Sequence, residues 1–193
     1  MTYRNATEGD IPQILALQQK YHISSIREQD KKNGFVNTLF TAEQLKELIE
    51  QEQGIAIACE EDRIAAYAMA GSWGFWSKWP LFQYMIADLG NTEYLGETLS
   101  TENSYQYGPV CIDAPYRGKG VLEELFRFSA RQMCRRYRIL ITFINQVNER
   151  SYAAHTRKAG LDLIKTFSFN GNNYYELGYE AARASDSAEE TTV

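Results

Sequence analysis

The sequence is poor in the residues that build metal and disulfide frameworks, with three cysteines and two histidines among 193 residues. Cys59, Cys111 and Cys134 stand singly inside apolar stretches, and no two have CxxC spacing. Such spacing argues against a zinc or disulfide scaffold and reads as small buried hydrophobes, so no metal site is expected. No apolar run approaches the ~20 residues of a membrane span, and the start MTYRNATEGD lacks the basic-then-apolar order of a secretory signal. A cytoplasmic protein with no membrane partner is expected. Basic charge is in deficit too: 20 Lys and Arg against 25 Asp and Glu leave a net charge of −5. That balance argues against a nucleic-acid partner, which calls for a basic surface.

What the chain has is apolar material: 44% hydrophobic residues, with aromatics making up 13% of the chain. At this length roughly 70% of the unfolded surface can be buried, enough for one core without staples. We expect a single domain over 1–182 and a flexible tail over 183–193, whose residues are small and polar. Residues 2–7 read as a strand, and Ile11, Ile14, Leu15, Leu17 and Tyr21 recur at helical spacing behind an acidic, threonine-led start. Thr41-Ala42-Glu43-Gln44 opens a second amphipathic helix, and 55–69 is a hairpin with an acidic turn. Residues 72–106 break the rhythm. They hold all three tryptophans, then a helix-like stretch, then polar and acidic residues, and read as an insertion between two strands. Its aromatics suit a cap on the core edge, an acceptor pocket, a lid or a homodimer contact.

From Tyr105 the pattern sharpens into strand, turn and helix. Residues 107–112 are strand-like, Asp113-Ala114-Pro115-Tyr116 is a turn, and Arg117-Gly118-Lys119-Gly120 leads into a helix with Val121, Leu122, Leu125, Phe126 and Met133 on its apolar side. A glycine-bearing turn at a helix N-terminus presents unpaired N–H groups and the positive end of the dipole, so it reads as an anion cradle for a diphosphate or as a plain tight turn. Walker and Rossmann loops both fail on residues: Lys119 is followed by Gly120 rather than Ser or Thr, and a third glycine is missing. Residues 139–144 are apolar on both faces, as in a central strand. Asn148 starts a further helix, and Asn170-Gly171 marks a final hairpin.

The run Ile112 to Leu122 resembles the pyrophosphate motif Arg/Gln-x-x-Gly-x-Gly/Ala of the GCN5-related N-acetyltransferase (GNAT) family, with Leu122 standing where a small residue is usual. Asn148-Glu149-Arg150-Ser151 resembles the family's second cofactor-side motif, and nearly the whole chain fits its element order. The resemblance implies an α/β (mixed α+β) fold with a splayed, predominantly antiparallel sheet flanked by helices. Acetyl-CoA would lie in the gap between the strands at about Tyr105–Asp113 and Arg138–Val147. It implies cofactor contacts from Val110, Cys111 and Ile112 to the pantetheine, from Arg117, Gly118, Lys119, Gly120, Val121 and Leu122 to the phosphates, and from Asn148. A cap role competes at Asn148.

The activity implied is direct acetyl transfer to a primary amine, on a small molecule or a peptide. The family's acid is usually a tyrosine seven residues after the motif asparagine. Here that position is His155, and Tyr152, one turn earlier, is the alternative acid. No base stands out among Glu102, Tyr105, Tyr107, Glu60 and Glu61. A non-catalytic acyl-CoA-binding or regulatory domain is the rival reading. Residues 117–138 carry seven basic and two acidic residues, a net +5, which leaves −10 for the rest. An anionic cofactor is therefore expected at this segment and a cationic amine at the acidic remainder.

Overall fold

The computed structural model describes residues 1–186. β1 (Thr2–Asn5) runs into α1 (Ile11–Tyr21), and α2 (Ala42–Glu47) follows a stretch of short turns. The start of α2 is set by a capping box: Thr41 Oγ1 accepts from Gln44 N at 3.3 Å, and Gln44 Oε1 accepts from Thr41 N at 3.0 Å. Next come the hairpin strands β2 (Ile55–Glu60) and β3 (Arg63–Gly71), then the inserted α3 (Trp73–Trp76), α4 (Pro80–Asp88) and the small hairpin β4 (Glu93–Tyr94) and β5 (Glu97–Thr98). β6 (Ser104–Ile112), α5 (Val121–Met133), β7 (Ile139–Asn145), α6 (Glu149–Arg157), β8 (Asp162–Phe169), β9 (Asn172–Glu180) and α7 (Arg183–Asp186) complete the order.

Seven strands form one sheet in the order β1-β2-β3-β6-β7-β9-β8. Every neighbouring pair is antiparallel except β6 and β7, which are parallel. One sheet face packs under α1, α2 and the insertion through Ile14, Leu17, Leu45, Leu48, Met69 and Ile141. The other face carries Ala56, Ala58, Ala66, Ala68 and Ala70, whose small side chains let α5 lie close with Leu125, Phe126 and Met133. Each fully buried leucine or phenylalanine contributes roughly 1.5–3 kcal/mol of transfer free energy, so both layers hold the sheet.

Three sequence-based expectations are corrected. Residues 183–186 are not a flexible tail: they form α7, with Ala181 and Ala184 fully buried and Arg131 Nε donating to Ala184 O at 2.7 Å. The remainder of that expected tail, 187–193, lies outside the described residues. The polar and acidic part of the insertion, which carries no clear strand signal in the sequence, holds the β4–β5 hairpin, which turns through Leu95 and Gly96 at φ 54° and 75°. Cys134 is half-buried rather than buried; Cys59 and Cys111 are buried. The tryptophans are core-edge material. Trp73 and Trp76 are fully buried, and each anchors its N–H, to Ser104 Oγ at 3.0 Å and to Gly71 O at 3.2 Å. Among the described residues no helix is long and apolar enough to cross a membrane.

Candidate active site

β6 and β7 pair only over Ser104–Gln106 with Ile139–Ile141. Beyond Gln106 the ladder cannot continue. Gly108 sits at φ +108°, Pro109 offers no N–H, and the register against β3 slips between Ala68 and Ala70, a bulge that turns β6 away. The strands splay, and the β6 edge from Tyr107 to Ile112 has no β7 partner. Two cavities occupy the wedge, and Phe35, Val36, Val110, Asn148, Ser151 and His155 line both.

The larger cavity, about 350 Å³, is rimmed by the N-termini of α5 and α6. Gly118 and Gly120 take left-handed φ of 78° and 79°, and a Cβ added at either would meet nothing within 4 Å. That open turn admits an anion to the backbone N–H groups at the start of α5. Arg117, Arg150, Arg157 and Lys158 bring positive charge, with one acid, Glu123, 3.7 Å from Lys158 Nζ. The Arg117 guanidinium is already engaged: Nε donates to Ile112 O at 2.8 Å, Nη1 to Asn33 O at 2.9 Å, and its carbon lies 4.5 Å over the Tyr21 ring. It clamps the loop near Asn33 to β6. The mouth is braced from below by Asp113, 2% exposed, which accepts from Lys20 and Arg63 at 2.6 Å and from Tyr21 at 2.8 Å. Burial alone would raise the Asp113 pKa, but these donors outweigh it and hold the carboxyl below its ordinary value.

An open strand edge, a glycine turn with free space and a cationic rim fit a long anionic ligand that carries amides, as acetyl-CoA does. Of the residues that the resemblance assigns to the cofactor, Val110, Cys111, Ile112, Arg117, Gly118, Leu122 and Asn148 line the larger cavity. Three expected contacts do not. Val121 turns into the core under α5, Lys119 is exposed with its ammonium 5.8 Å over the Tyr116 ring, and Gly120 contributes as helix cap rather than as lining. Leu122, 7% exposed, forms part of the wall. Asn148 is a cap first: Oδ1 accepts from Ser151 N at 3.2 Å, while Nδ2 reaches Phe35 O at 3.5 Å and ties down the loop between the cavities.

His155 stands where the cavities meet, 6% exposed. Its Nδ1 lies 2.8 Å from Ser151 O, and a carbonyl only accepts, so Nδ1 carries the proton and Nε2 is an acceptor. Burial pushes the pKa below the ordinary imidazole value, with the Ser151 hydrogen bond working the other way. A neutral imidazole with a free lone pair is a proton acceptor in the resting protein, and it can serve as an acid only after it has taken up a proton. Tyr152, the alternative acid, stands apart: its ring lies on Tyr175 at 4.1 Å between centroids, and it lines neither cavity. Tyr105 and Tyr107 are fully buried with pKa values pushed far up by burial, so neither supplies a base. Glu60 accepts from Tyr116 Oη at 2.7 Å, away from both cavities.

The smaller cavity, about 90 Å³, adds Phe82 from the insertion, Phe143 from β7 and Gln106 from β6. Sequence reasoning missed Phe35 and Val36, which sit in a segment without period, and Gln106, which reads there as one more strand residue. Arg157 and Lys158 were within reach of it, since 150 and 157 are two helical turns apart on one face.

No family model matches the chain, and no curated protein matches it in sequence. Among solved structures it is similar to an N-acetyltransferase from Staphylococcus aureus Mu50, at TM-score 0.63 and 19% identity, covering 93% of this chain and 98% of that one. It is similar also to yncA from Salmonella typhimurium, solved with its cofactor acetyl-CoA, at TM-score 0.61 and 13% identity, covering 93% of each chain. A GNAT-family protein from Desulfovibrio desulfuricans matches at TM-score 0.59 and 12% identity, over 94% of this chain and 99% of that one. The chain has the GNAT fold.

Proposed function

We propose that this protein is a cytoplasmic N-acetyltransferase that moves an acetyl group from acetyl-CoA to a primary amine, on a small molecule or a peptide, by direct attack with both substrates bound. Acetyl-CoA supplies an activated thioester, whose acyl carbon gains the amine nitrogen and releases the sulfur. The observation that carries this reading is the junction of a cation-rimmed cavity and an uncharged one at a neutral, buried imidazole. The N–H groups of 118–122 with Arg150, Arg157 and Lys158 would hold the phosphates, and the open β6 edge at Val110–Ile112 would hold the amides. His155 Nε2 takes the proton that the attacking amine must lose and passes it to the departing sulfur, so a single imidazole balances both proton transfers. Free thiols at Cys59, Cys111 and Cys134 fit a reducing compartment.

The test combines calorimetry with acetyl-CoA and assay of CoA release over a panel of amines. His155→Ala should lower kcat by about 10²–10⁴-fold while the acetyl-CoA Kd stays within about threefold. Absence of binding at near-millimolar acetyl-CoA overturns the proposal. Binding without turnover on any amine would reduce the protein to an acyl-CoA-binding domain.

A further inference from the structure

The smaller cavity has no Asp, Glu, Lys or Arg in its lining, although the chain outside 117–138 carries a surplus of acid. It does hold an unspent polar group. Gln106 is 1% exposed; its Nε2 donates to Tyr107 O at 2.6 Å, and its Oε1 has no partner. A Cβ placed at Gly108 would lie 3.5 Å from Thr142 Oγ1 and 3.8 Å from Gln106 Nε2, which puts both polar side chains around the bulge where the strands part. A buried acceptor without a donor is costly for the protein alone and is satisfied by a ligand N–H.

Resting on the acetyltransferase reading, we infer that this cavity selects its acceptor as a neutral, weakly basic amine, an α-amino group or an aromatic amine, with one N–H donated to Gln106 Oε1. An ammonium would enter with no carboxylate to face it, an uncompensated buried charge. Selection therefore falls on amines that are uncharged in solution. At pH 7.5 an α-amino group is about one third neutral and a lysine-type amine about one thousandth neutral. The earlier expectation of a cationic acceptor gives way: the acidic surplus does not line this cavity.

The experiment compares kcat/KM for alaninamide and aniline with that for propylamine and spermidine from pH 7 to 9.5. Alaninamide should lead propylamine by about 200-fold at pH 7.5 and about tenfold at pH 9.5, as the neutral fractions converge. The titration of His155 affects both substrates alike and leaves the ratio untouched. Gln106→Leu should lower kcat/KM for alaninamide about tenfold with the acetyl-CoA Kd within threefold. Gln106→Glu, which keeps the shape, should shrink the 200-fold ratio by at least tenfold. A wild-type preference for propylamine or spermidine at pH 7.5 overturns the inference, as does a ratio that does not change with pH. Calorimetry of the same amines, with and without saturating CoA, reads their order of binding directly. If acetyl-CoA binds without turnover, or does not bind, the acetyltransferase reading fails while the amine order still decides the chemistry of this cavity.

Discussion

The two cavities share six lining residues yet differ in almost every physical respect. The larger is rimmed by four cations and two helix N-termini; the smaller has no formal charge and is walled by Phe35, Phe82 and Phe143. The contrast teaches what each side recognises. Charge in the larger cavity lies on exposed side chains around an open backbone turn, an arrangement that attracts and releases a polyanion readily. Neutrality in the smaller one is built from buried groups, so it discriminates by the cost of desolvating whatever enters. His155 belongs to both and is neutral, in keeping with the smaller.

The strongest test of the contrast removes the exposed cations. Arg150→Ala, Arg157→Ala and Lys158→Ala combined should weaken acetyl-CoA binding about 10–100-fold and flatten its dependence on salt, measured by calorimetry at low and high ionic strength. The preference among amines should not move. Equal affinity in the triple variant would mean that the backbone turn alone holds the phosphates.

A second test asks how far the neutrality extends behind the smaller cavity. Glu176 on β9 lies opposite Phe143 in the register and is 4% exposed. Burial raises its carboxyl pKa to about 7; Lys165 works against the rise and Asp88 adds to it. The raised folded value means that the native protein binds more protons than the unfolded chain between the ordinary 4.5 and about 7. Stability therefore falls as pH rises through that window and levels off above it. Glu176→Gln, which keeps the volume and discards the titration, should stabilise by about 2–3 kcal/mol at pH 8.5 and by less than about 1 kcal/mol at pH 5, read from urea midpoints. A gain that does not depend on pH would show the carboxyl to be ionised throughout.

The same contrast separates what was legible in the sequence from what was not. The turn at Gly118 and Gly120 was legible because its chemistry is local: left-handed glycines, a helix start and a preceding strand lie within a dozen residues. The splay between β6 and β7 came only through family resemblance, although Gly108-Pro109 is its physical cause. The smaller cavity is assembled from Phe35, Phe82, Gln106 and Phe143, which meet only after the sheet forms, and no spacing rule joins them. α7 was illegible for another reason. Ala184 falls in the small, polar stretch read as tail by composition, and only the close surface of α5 makes its small size an asset. At His155 the motif offset points to the position, while its tautomer and protonation rest on the Ser151 carbonyl and on burial, which no spacing encodes.

The smallest expected effect comes from the helix that carries His155. Tyr152 precedes it by three residues, yet its ring lies on Tyr175 and outside both cavities. Tyr152→Phe keeps that ring and removes only the hydroxyl, so stability should change by no more than about 0.5 kcal/mol. Since no proton in the proposed step passes through the phenol, kcat and the pH profile should match wild type within about twofold. The paired measurement with His155→Ala makes this near-zero result informative, because both variants alter one turn of the same helix. A tenfold loss of kcat in Tyr152→Phe, with acetyl-CoA binding intact, would place the phenol in the proton path. It would also end the assignment of both proton transfers to the imidazole.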